Sequence, residues 1–154
     1  MIADDDYADL RIFFADEATE CLNRCRAALT AFAAGEYTEL TMGGVRRDFH
    51  NIKGTALSLP GLEVLGESAA QCERVAEALD RGQLAMNPGV LGLLNAGADY
   101  LAVQFQRVRA SATPQAMPAV LWKKFEYCRD RILQLESAAP SSDPLSLDDE
   151  LKSL

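Results

Sequence analysis

Apolar residues recur at spacings of three and four through most of this chain, and this pattern confines it to helices. The first run of this kind consists of Leu10, Phe14, Ala18, Cys21, Cys25, Ala28 and Phe32. Positions three and four apart lie on one face of a helix, whereas a half-buried strand needs strict alternation. No segment shows that alternation, so we expect an all-α protein.

Turn signals separate the first run from four further ones. The second predicted helix runs from about Thr38 to Leu59 and ends at Pro60-Gly61. Asn87-Pro88 predicts the start of the fourth, with Asn as the N-cap and Pro at the first helical position. Residues 111–118 form a linker, and a fifth amphipathic segment follows it.

Long helices with single apolar faces and short connections are typical of an antiparallel four-helix bundle, which we place within residues 5–110. An additional fifth C-terminal helix, residues 118–137, is expected to pack on the outside of the bundle or to extend it. The predicted domain therefore covers residues 1–137.

Residues 138–154 are predicted to be a flexible tail or linker, because their composition shifts to Ala, Pro, Ser and Asp. Leu147, Leu151 and Leu154 nevertheless have helical spacing within this segment. Two interpretations remain open: a short docking helix for a partner and a frayed terminus.

The overall charge and the cysteines exclude several classes of function. A net charge of −8 argues against a nucleic-acid binder, which needs a basic surface. No signal peptide and no apolar run of transmembrane length is visible, so we expect a cytoplasmic protein without membrane contact. The four cysteines are then expected to be reduced. With one histidine and no C-x-x-C pair, no metal site is expected, and the thiols are interpreted as buried small hydrophobes.

His50 is the only histidine, and it lies off the apolar face of the second predicted helix. Arg46, Arg47, Lys53 and Gly54 are its neighbours one turn away on the same face. Such a position predicts an exposed imidazole on a rigid helix, open to the active site of another macromolecule.

The surroundings of the histidine are more basic than the rest of the chain. Residues 37–59 hold three bases against two acids, whereas residues 1–36 hold eight acids against three bases. A slightly positive site on an acidic body suits an anionic reactant such as a phosphoryl group. The same charges also fit an ordinary mixed surface.

The residues around His50 suit phosphoryl transfer. A neutral imidazole has one donor and one acceptor nitrogen and is a competent nucleophile near neutral pH. Lys53 would offset the negative charge of an added phosphoryl group. A glycine within a helix costs about 0.8–1 kcal/mol relative to alanine, and access to the imidazole is a plausible compensation for Gly54.

The motif His50-x-x-Lys53-Gly54-x-Ala56 resembles that of histidine-containing phosphotransfer (HPt) domains. The run from Leu57 to Glu67 also resembles that family's passage into its third helix. The sequence Phe49-His-Asn-Ile-Lys-Gly and the fifth helix are most similar to the amino-terminal phosphotransfer domain of chemotaxis-type histidine kinases (CheA).

This resemblance implies that Nε2 of His50 carries the phosphoryl group, with Lys53 and Gly54 as the motif lysine and glycine. It also implies a glutamate that holds the other ring nitrogen. Glu73 lies about where that residue should fall, and Glu67, nearer the start of the third helix, is the alternative. The domain would be a phosphoryl carrier and not an enzyme on its own. A receiver domain would supply the aspartate and Mg²⁺, or a kinase domain would supply ATP.

Other interpretations stay open at this point. The histidine could be an incidental surface residue, or the chain could be a non-catalytic adaptor that binds signalling partners without being phosphorylated. A third interpretation, an enzyme or a metal-binding bundle, is disfavoured because this sequence lacks the paired carboxylate and histidine ligands that such bundles use. Leu57 is either part of a docking surface for a receiver or covered by the neighbouring helix. Arg46 and Arg47 either steer an acidic receiver towards His50 or form a solvated face.

Overall fold

The computed structural model describes residues 5–36, 39–138 and 143–154. Over these residues the chain forms six α-helices and no strand, which confirms the prediction of an all-α protein. The helices are α1 (Asp5–Ala33), α2 (Glu39–Leu57), α3 (Glu63–Asp80), α4 (Pro88–Arg109), α5 (Ala119–Ser137) and α6 (Asp148–Ser153).

The first four helices form a ring around one core. α1 packs against α2 and α4, and α3 packs against the same two helices from the opposite side. Because short turns join α2 to α3 and α3 to α4, neighbouring helices run antiparallel. α5 packs on the outside against α3 and α4. The predicted four-helix bundle with an additional fifth helix is confirmed. None of the described helices has the length and apolar character needed to cross a bilayer.

The apolar faces that the periodicity predicts are largely those that the bundle buries. Phe14 on α1 and Phe105 on α4 meet edge to face across the core, with their ring centroids 5.6 Å apart. Phe49 and Ile52 anchor α2 in the same core. Leu10 differs from the prediction: it is half exposed, because it borders an open groove between α1 and α2.

The helix ends follow local signals closely. Asn87 caps α4 as predicted, since its side chain accepts the backbone N–H of Val90 at 3.0 Å and Pro88 follows it. α2 ends at Leu57, two residues before the predicted end, and the turn after it contains Gly61 with a φ of +88°. The predicted start at Thr38 lies outside the described residues.

The end of the chain differs from the predicted flexible tail. Leu147 and Leu151 are buried, and α6 packs against α4. Leu145 exchanges backbone hydrogen bonds with the turn before α4: it donates to the carbonyl of Gln83 at 2.9 Å and accepts from Ala85 at 2.8 Å. Leu147 and Leu151 therefore form an apolar face that the chain's own bundle covers, whereas Leu154 is half exposed.

A carboxylate anchors this segment to the start of α4. Asp148 accepts the backbone N–H of Gly89 at 2.6 Å, and this hydrogen bond holds the pKa of Asp148 below its ordinary value. The first N–H groups of a helix have no partner within it, so an acceptor from elsewhere in the chain is favourable there. Sequence periodicity alone does not reveal such a contact.

Gly97 lies where α3, α4 and α5 approach one another, and its replacement by alanine is expected to destabilise the bundle. A Cβ at this position would lie 2.7 Å from Sγ of Cys72 and 2.9 Å from Cζ of Phe125. Overpacking of this kind lowers the free energy of unfolding by about 1–3 kcal/mol. Urea unfolding of Gly97→Ala measures the loss.

Gly92→Ala is the matched control on the same helix. A Cβ at Gly92 would meet nothing within 4 Å. Alanine there should raise the free energy of unfolding by up to about 1 kcal/mol, because it favours the helix over glycine. Equal stability of the two variants would contradict the tight packing inferred at Gly97.

Candidate functional site

His50 projects from the middle of α2 into solvent. Its side chain is 58% exposed, while its neighbour Phe49 is fully buried in the core. Nδ1 of His50 lies 2.7 Å from Oε1 of Glu73 on α3. The other ring nitrogen, Nε2, has no hydrogen-bond partner among the described residues. The imidazole is therefore held from one side and open on the other.

Glu73 connects the two predicted residues of the motif. Its second oxygen, Oε2, lies 2.6 Å from Nζ of Lys53, so a single carboxylate binds both side chains. His50 and Lys53 are three residues apart on α2 and share one face. The side chain of Glu73 is only 13% exposed. The three residues form a compact network, which we call the His50 triad.

The electrostatics of the His50 triad determine its protonation. Burial by itself would raise the pKa of Glu73, but the hydrogen bonds from Lys53 and His50 outweigh it and hold the pKa below the ordinary value of 4.5. An ionised carboxylate only accepts hydrogen bonds, so Nδ1 must carry the proton. In the neutral imidazole, Nε2 then keeps its lone pair and faces solvent.

The tight α2–α3 hairpin brings Glu73 to His50. Near the turn, the side chain of Leu57 lies directly over Gly66, where a Cβ would come within 2.5 Å of Cδ2 of Leu57. Glycine at this position allows the two helices to approach closely. Of the two candidate glutamates, Glu73 lies beside the imidazole, whereas Glu67 is exposed and forms no hydrogen bond or ion pair with His50 or Lys53.

Gly54 is exposed one turn beyond His50, and the protein itself does not require a glycine there. A Cβ at Gly54 would meet nothing within 4 Å, and the same holds for Gly44 on the opposite side of His50 along α2. Because glycine disfavours the helix, these positions indicate a need from outside the chain. Gly54, one turn from His50, leaves the surface beside the imidazole free of a side chain.

The predicted partner-binding residues have different environments. Nε of Arg46 lies 3.8 Å from Oδ2 of Asp80, so part of its charge is used within the bundle. Arg47 is exposed and forms no ion pair with the described residues. Leu57 combines both interpretations, because it contacts α3 at Gly66 and yet remains half exposed. The roles of these residues in binding remain predictions.

An apolar surface near the site was not predicted from the sequence. The side chain of Phe13 on α1 is 63% exposed. Phe13 borders the same groove as Leu10. The sequence does contain an indication of this exposure. Phe13 lies outside the three-four spacing of the first apolar run and next to the buried Phe14, so its large apolar side chain is on the polar side of α1.

The four cysteines are free thiols. Burial raises the pKa of Cys72, and it raises the pKa of Cys128 to about 12, so both remain protonated near neutral pH. In the parts of the chain that the structure describes, no three His, Cys, Asp or Glu side chains are grouped as metal ligands.

Comparisons with known proteins agree with the resemblance that the motif indicated. The family model of the Hpt domain matches residues 9–110, which include the whole His50 triad. The fold is similar to that of a solved chain described as the phosphorylated P1 domain of CheA3 in complex with CheY6 from R. sphaeroides. That chain is 22% identical, the TM-score is 0.66, and the similarity covers 82% of this chain and 98% of that one. A search of curated proteins found no match.

Proposed function

Because this chain belongs to the Hpt domain family, we propose that it carries a phosphoryl group on His50 in a two-component or chemotaxis phosphorelay. It receives the group from a kinase or from a receiver aspartate and passes it to a response regulator. Such a carrier acts where its partners act, which we infer to be the cytoplasm. By itself the chain is a substrate and donor, and the catalytic groups come from its partners.

The observation that carries this proposal is the exposed Nε2 of His50 opposite the anchored Nδ1. A nucleophile needs a defined lone pair and a fixed direction. Glu73 supplies both, because it holds the proton on Nδ1 and orients the ring. Lys53 in turn keeps Glu73 ionised. All three side chains come from two rigid helices, so little reorganisation is needed at the moment of transfer.

The proposed phosphoryl transfer needs no separate base. Nε2 attacks the phosphorus of the donor, the N–P bond forms, and the donor oxygen leaves with the electrons of its P–O bond. The ring keeps its proton on Nδ1 and becomes cationic, and the carboxylate of Glu73 stabilises that charge. In the onward step, an aspartate oxygen of the receiver attacks phosphorus and the electron pair returns to Nε2.

Mg²⁺ and ATP are assigned to the partner domains. The sequence contains no P-loop and no glycine-rich nucleotide motif. Phosphoryl transfer depends chiefly on positioning and on stabilising charge at the phosphoryl oxygens. The chain would contribute Lys53 and the exposed cation of Arg47 beside the phosphoryl group, and the open surface at Gly54 would admit the partner's active site.

The proposal is tested by phosphorylating the purified chain. It is incubated with Mg²⁺, labelled ATP and histidine-kinase catalytic domains from the same organism, and separately with phosphorylated receiver domains. We expect label that is stable to alkali and labile to acid, as phosphohistidine is. If these domains bind the chain but transfer no label, the chain is a non-catalytic adaptor and the proposal fails.

A further inference from the structure

Arg46 and Lys53 lie on either side of His50 along α2. Each is about one helical turn from the histidine, and each is on the side of α2 that faces α3, where a carboxylate contacts it. Lys53 meets Glu73, and Arg46 meets Asp80. A phosphoryl group on Nε2 of His50 would therefore have a cation on each side of it.

α3 holds the two cations with different strength. Nζ of Lys53 lies 2.6 Å from Oε2 of Glu73, and this contact helps to keep Glu73 ionised. Nε of Arg46 lies 3.8 Å from Oδ2 of Asp80, which is too long for a hydrogen bond. Three other arginine ion pairs between helices are closer: 2.9 Å for Arg24–Asp48, 2.6 Å for Arg26–Asp99 and 3.0 Å for Arg109–Asp16. Arg46 is thus the more readily released of the two cations.

The contact between Arg46 and Asp80 is also open to water. Their side chains are 39% and 27% exposed. Ion pairs at a protein surface contribute only about 0–1 kcal/mol, because water and salt screen them. If Arg46 turned to another anion, the Asp80 carboxylate could be hydrated instead. An exchange of partners at Arg46 therefore costs little.

A phosphoryl group on His50 is a stronger partner for Arg46 than Asp80 is. A phosphorylated side chain carries a charge of about −1.5 to −2 and three acceptor oxygens. The planar guanidinium of arginine can donate two parallel N–H groups to such a group. Residues four apart on a helix have their Cβ atoms about 5–6 Å apart, and helical side chains lean towards the N-terminus. The imidazole of His50 therefore leans towards the turn that contains Arg46.

We propose that Arg46 is a second phosphoryl-binding residue, which exchanges Asp80 for the phosphoryl oxygens once His50 is phosphorylated. This inference rests on the proposed function. Before transfer, Asp80 keeps the guanidinium near the site while Nε2 of His50 stays open to solvent. After transfer, Arg46 and Lys53 flank the phosphoryl group.

Binding by Arg46 should prolong the life of the phosphorylated form. In hydrolysis, water attacks phosphorus, the electron pair of the N–P bond returns to Nε2, and dihydrogen phosphate leaves. Acid accelerates this loss, so a cation that opposes protonation of the phosphoryl oxygens slows it. Asp80 competes for the same cation. Removal of Asp80 should therefore act in the opposite direction from removal of Arg46.

Arg46→Gln tests the inference, and Arg26→Gln is its matched control. The side chain of Arg26 is also 39% exposed and is also paired with an aspartate, Asp99, but this pair joins α1 to α4. The full chain is phosphorylated with phosphoramidate, which needs no partner protein. The half-life of the phosphohistidine at neutral pH is followed by intact mass, and the pKa of the phosphoryl group by phosphorus NMR. Circular dichroism verifies the fold of each variant.

For Arg46→Gln we expect the half-life to shorten by about threefold, as for the loss of one partly exposed charged contact, and the pKa of the phosphoryl group to rise. Arg46→Lys keeps the charge without the paired N–H groups, so its half-life should lie between those of Arg46→Gln and the wild type. Asp80→Asn should lengthen the half-life, because it frees Arg46. Arg26→Gln should match the wild type.

Three results would overturn the inference. Equal half-lives and phosphoryl pKa values in Arg46→Gln and Arg26→Gln would show that Arg46 does not bind the phosphoryl group. Equal shortening in Arg46→Gln and Asp80→Asn would show that the pair only joins α2 to α3. Failure of phosphoramidate to modify His50 in the wild type would also refute it. If Arg46→Gln does not fold, the opposite changes expected in Arg46→Lys and Asp80→Asn decide the question.

The proposed function fails separately from this inference. If phosphoramidate forms phosphohistidine but no kinase or receiver domain forms or removes it, the phosphorelay role is refuted, and the half-lives still decide the role of Arg46. If partner domains transfer phosphoryl normally and the half-life in Arg46→Gln is unchanged, the phosphorelay role stands and Arg46 is rejected as a phosphoryl-binding residue.

Discussion

Replacement of His50 by glutamine is expected to abolish phosphoryl uptake completely. Glutamine has no basic ring nitrogen, and the chain contains no other histidine. The fold should persist, because His50 is exposed and the core residues of α2 are unchanged. A glutamine amide can still donate a hydrogen bond to Glu73. Phosphorylation is followed by the alkali-stable label and by the intact mass of the protein.

A transplanted histidine provides the control for this variant. Gln106 is exposed on α4, away from the His50 triad. In the double variant His50→Gln/Gln106→His, uptake from a protein donor should remain absent, because the new imidazole lacks the carboxylate and the open groove. Uptake that persists in His50→Gln would show that the acceptor lies elsewhere. Uptake restored by Gln106→His would show that any exposed imidazole is sufficient.

Replacement of Glu73 by glutamine is expected to give the second largest effect, a slower transfer with the acceptor still present. The amide can bind Nδ1 through its oxygen or through its nitrogen, so the proton is no longer confined to Nδ1. We expect the rate of phosphoryl uptake to fall by about tenfold to a hundredfold. The corresponding Asp→Asn change in a buried catalytic triad costs about 10⁴-fold, but the His50 triad is open to water.

Glu67→Gln on the same helix is the control that distinguishes the two candidate glutamates. Glu67 is exposed and lies outside the His50 triad, so its replacement should leave the transfer rate unchanged. Single-turnover kinetics with a phosphorylated receiver domain measure both variants under identical conditions. If Glu67→Gln were the slower of the two, the assignment of Glu73 as the orienting residue would be wrong.

The pH dependence of stability follows from the same carboxylate. The pKa of Glu73 in the folded protein lies below its ordinary value of 4.5, so folding favours the ionised form. This contribution is complete above pH 4.5 and is lost as the pH falls through the lowered pKa. The stability difference between the wild type and Glu73→Gln should therefore shrink only in that acidic range.

The sequence by itself predicted the helices, most of the core and the accessible histidine. The three-four spacing is a property of each helix separately, and it marks Phe14 on α1 and Phe49 on α2 as members of apolar faces. Such a face is buried whichever helix packs against it. His50 lies off that face for the same local reason. The motif around His50 was sufficient to indicate the family. Its lysine and glycine, Lys53 and Gly54, belong to the same helix as the histidine, so their arrangement follows from sequence spacing.

Only the tertiary structure decided which side chains meet across helices. Glu67 and Glu73 have similar local surroundings, and the close α2–α3 packing at Gly66 determines which of them reaches His50. Phe13 stays exposed because none of the described helices covers that side of α1, while Leu147 and Leu151 are buried because α4 offers a surface at α6. Helical periodicity is a property of one segment. Distances between segments depend on how two surfaces pack, and the sequence of either segment alone does not determine that packing.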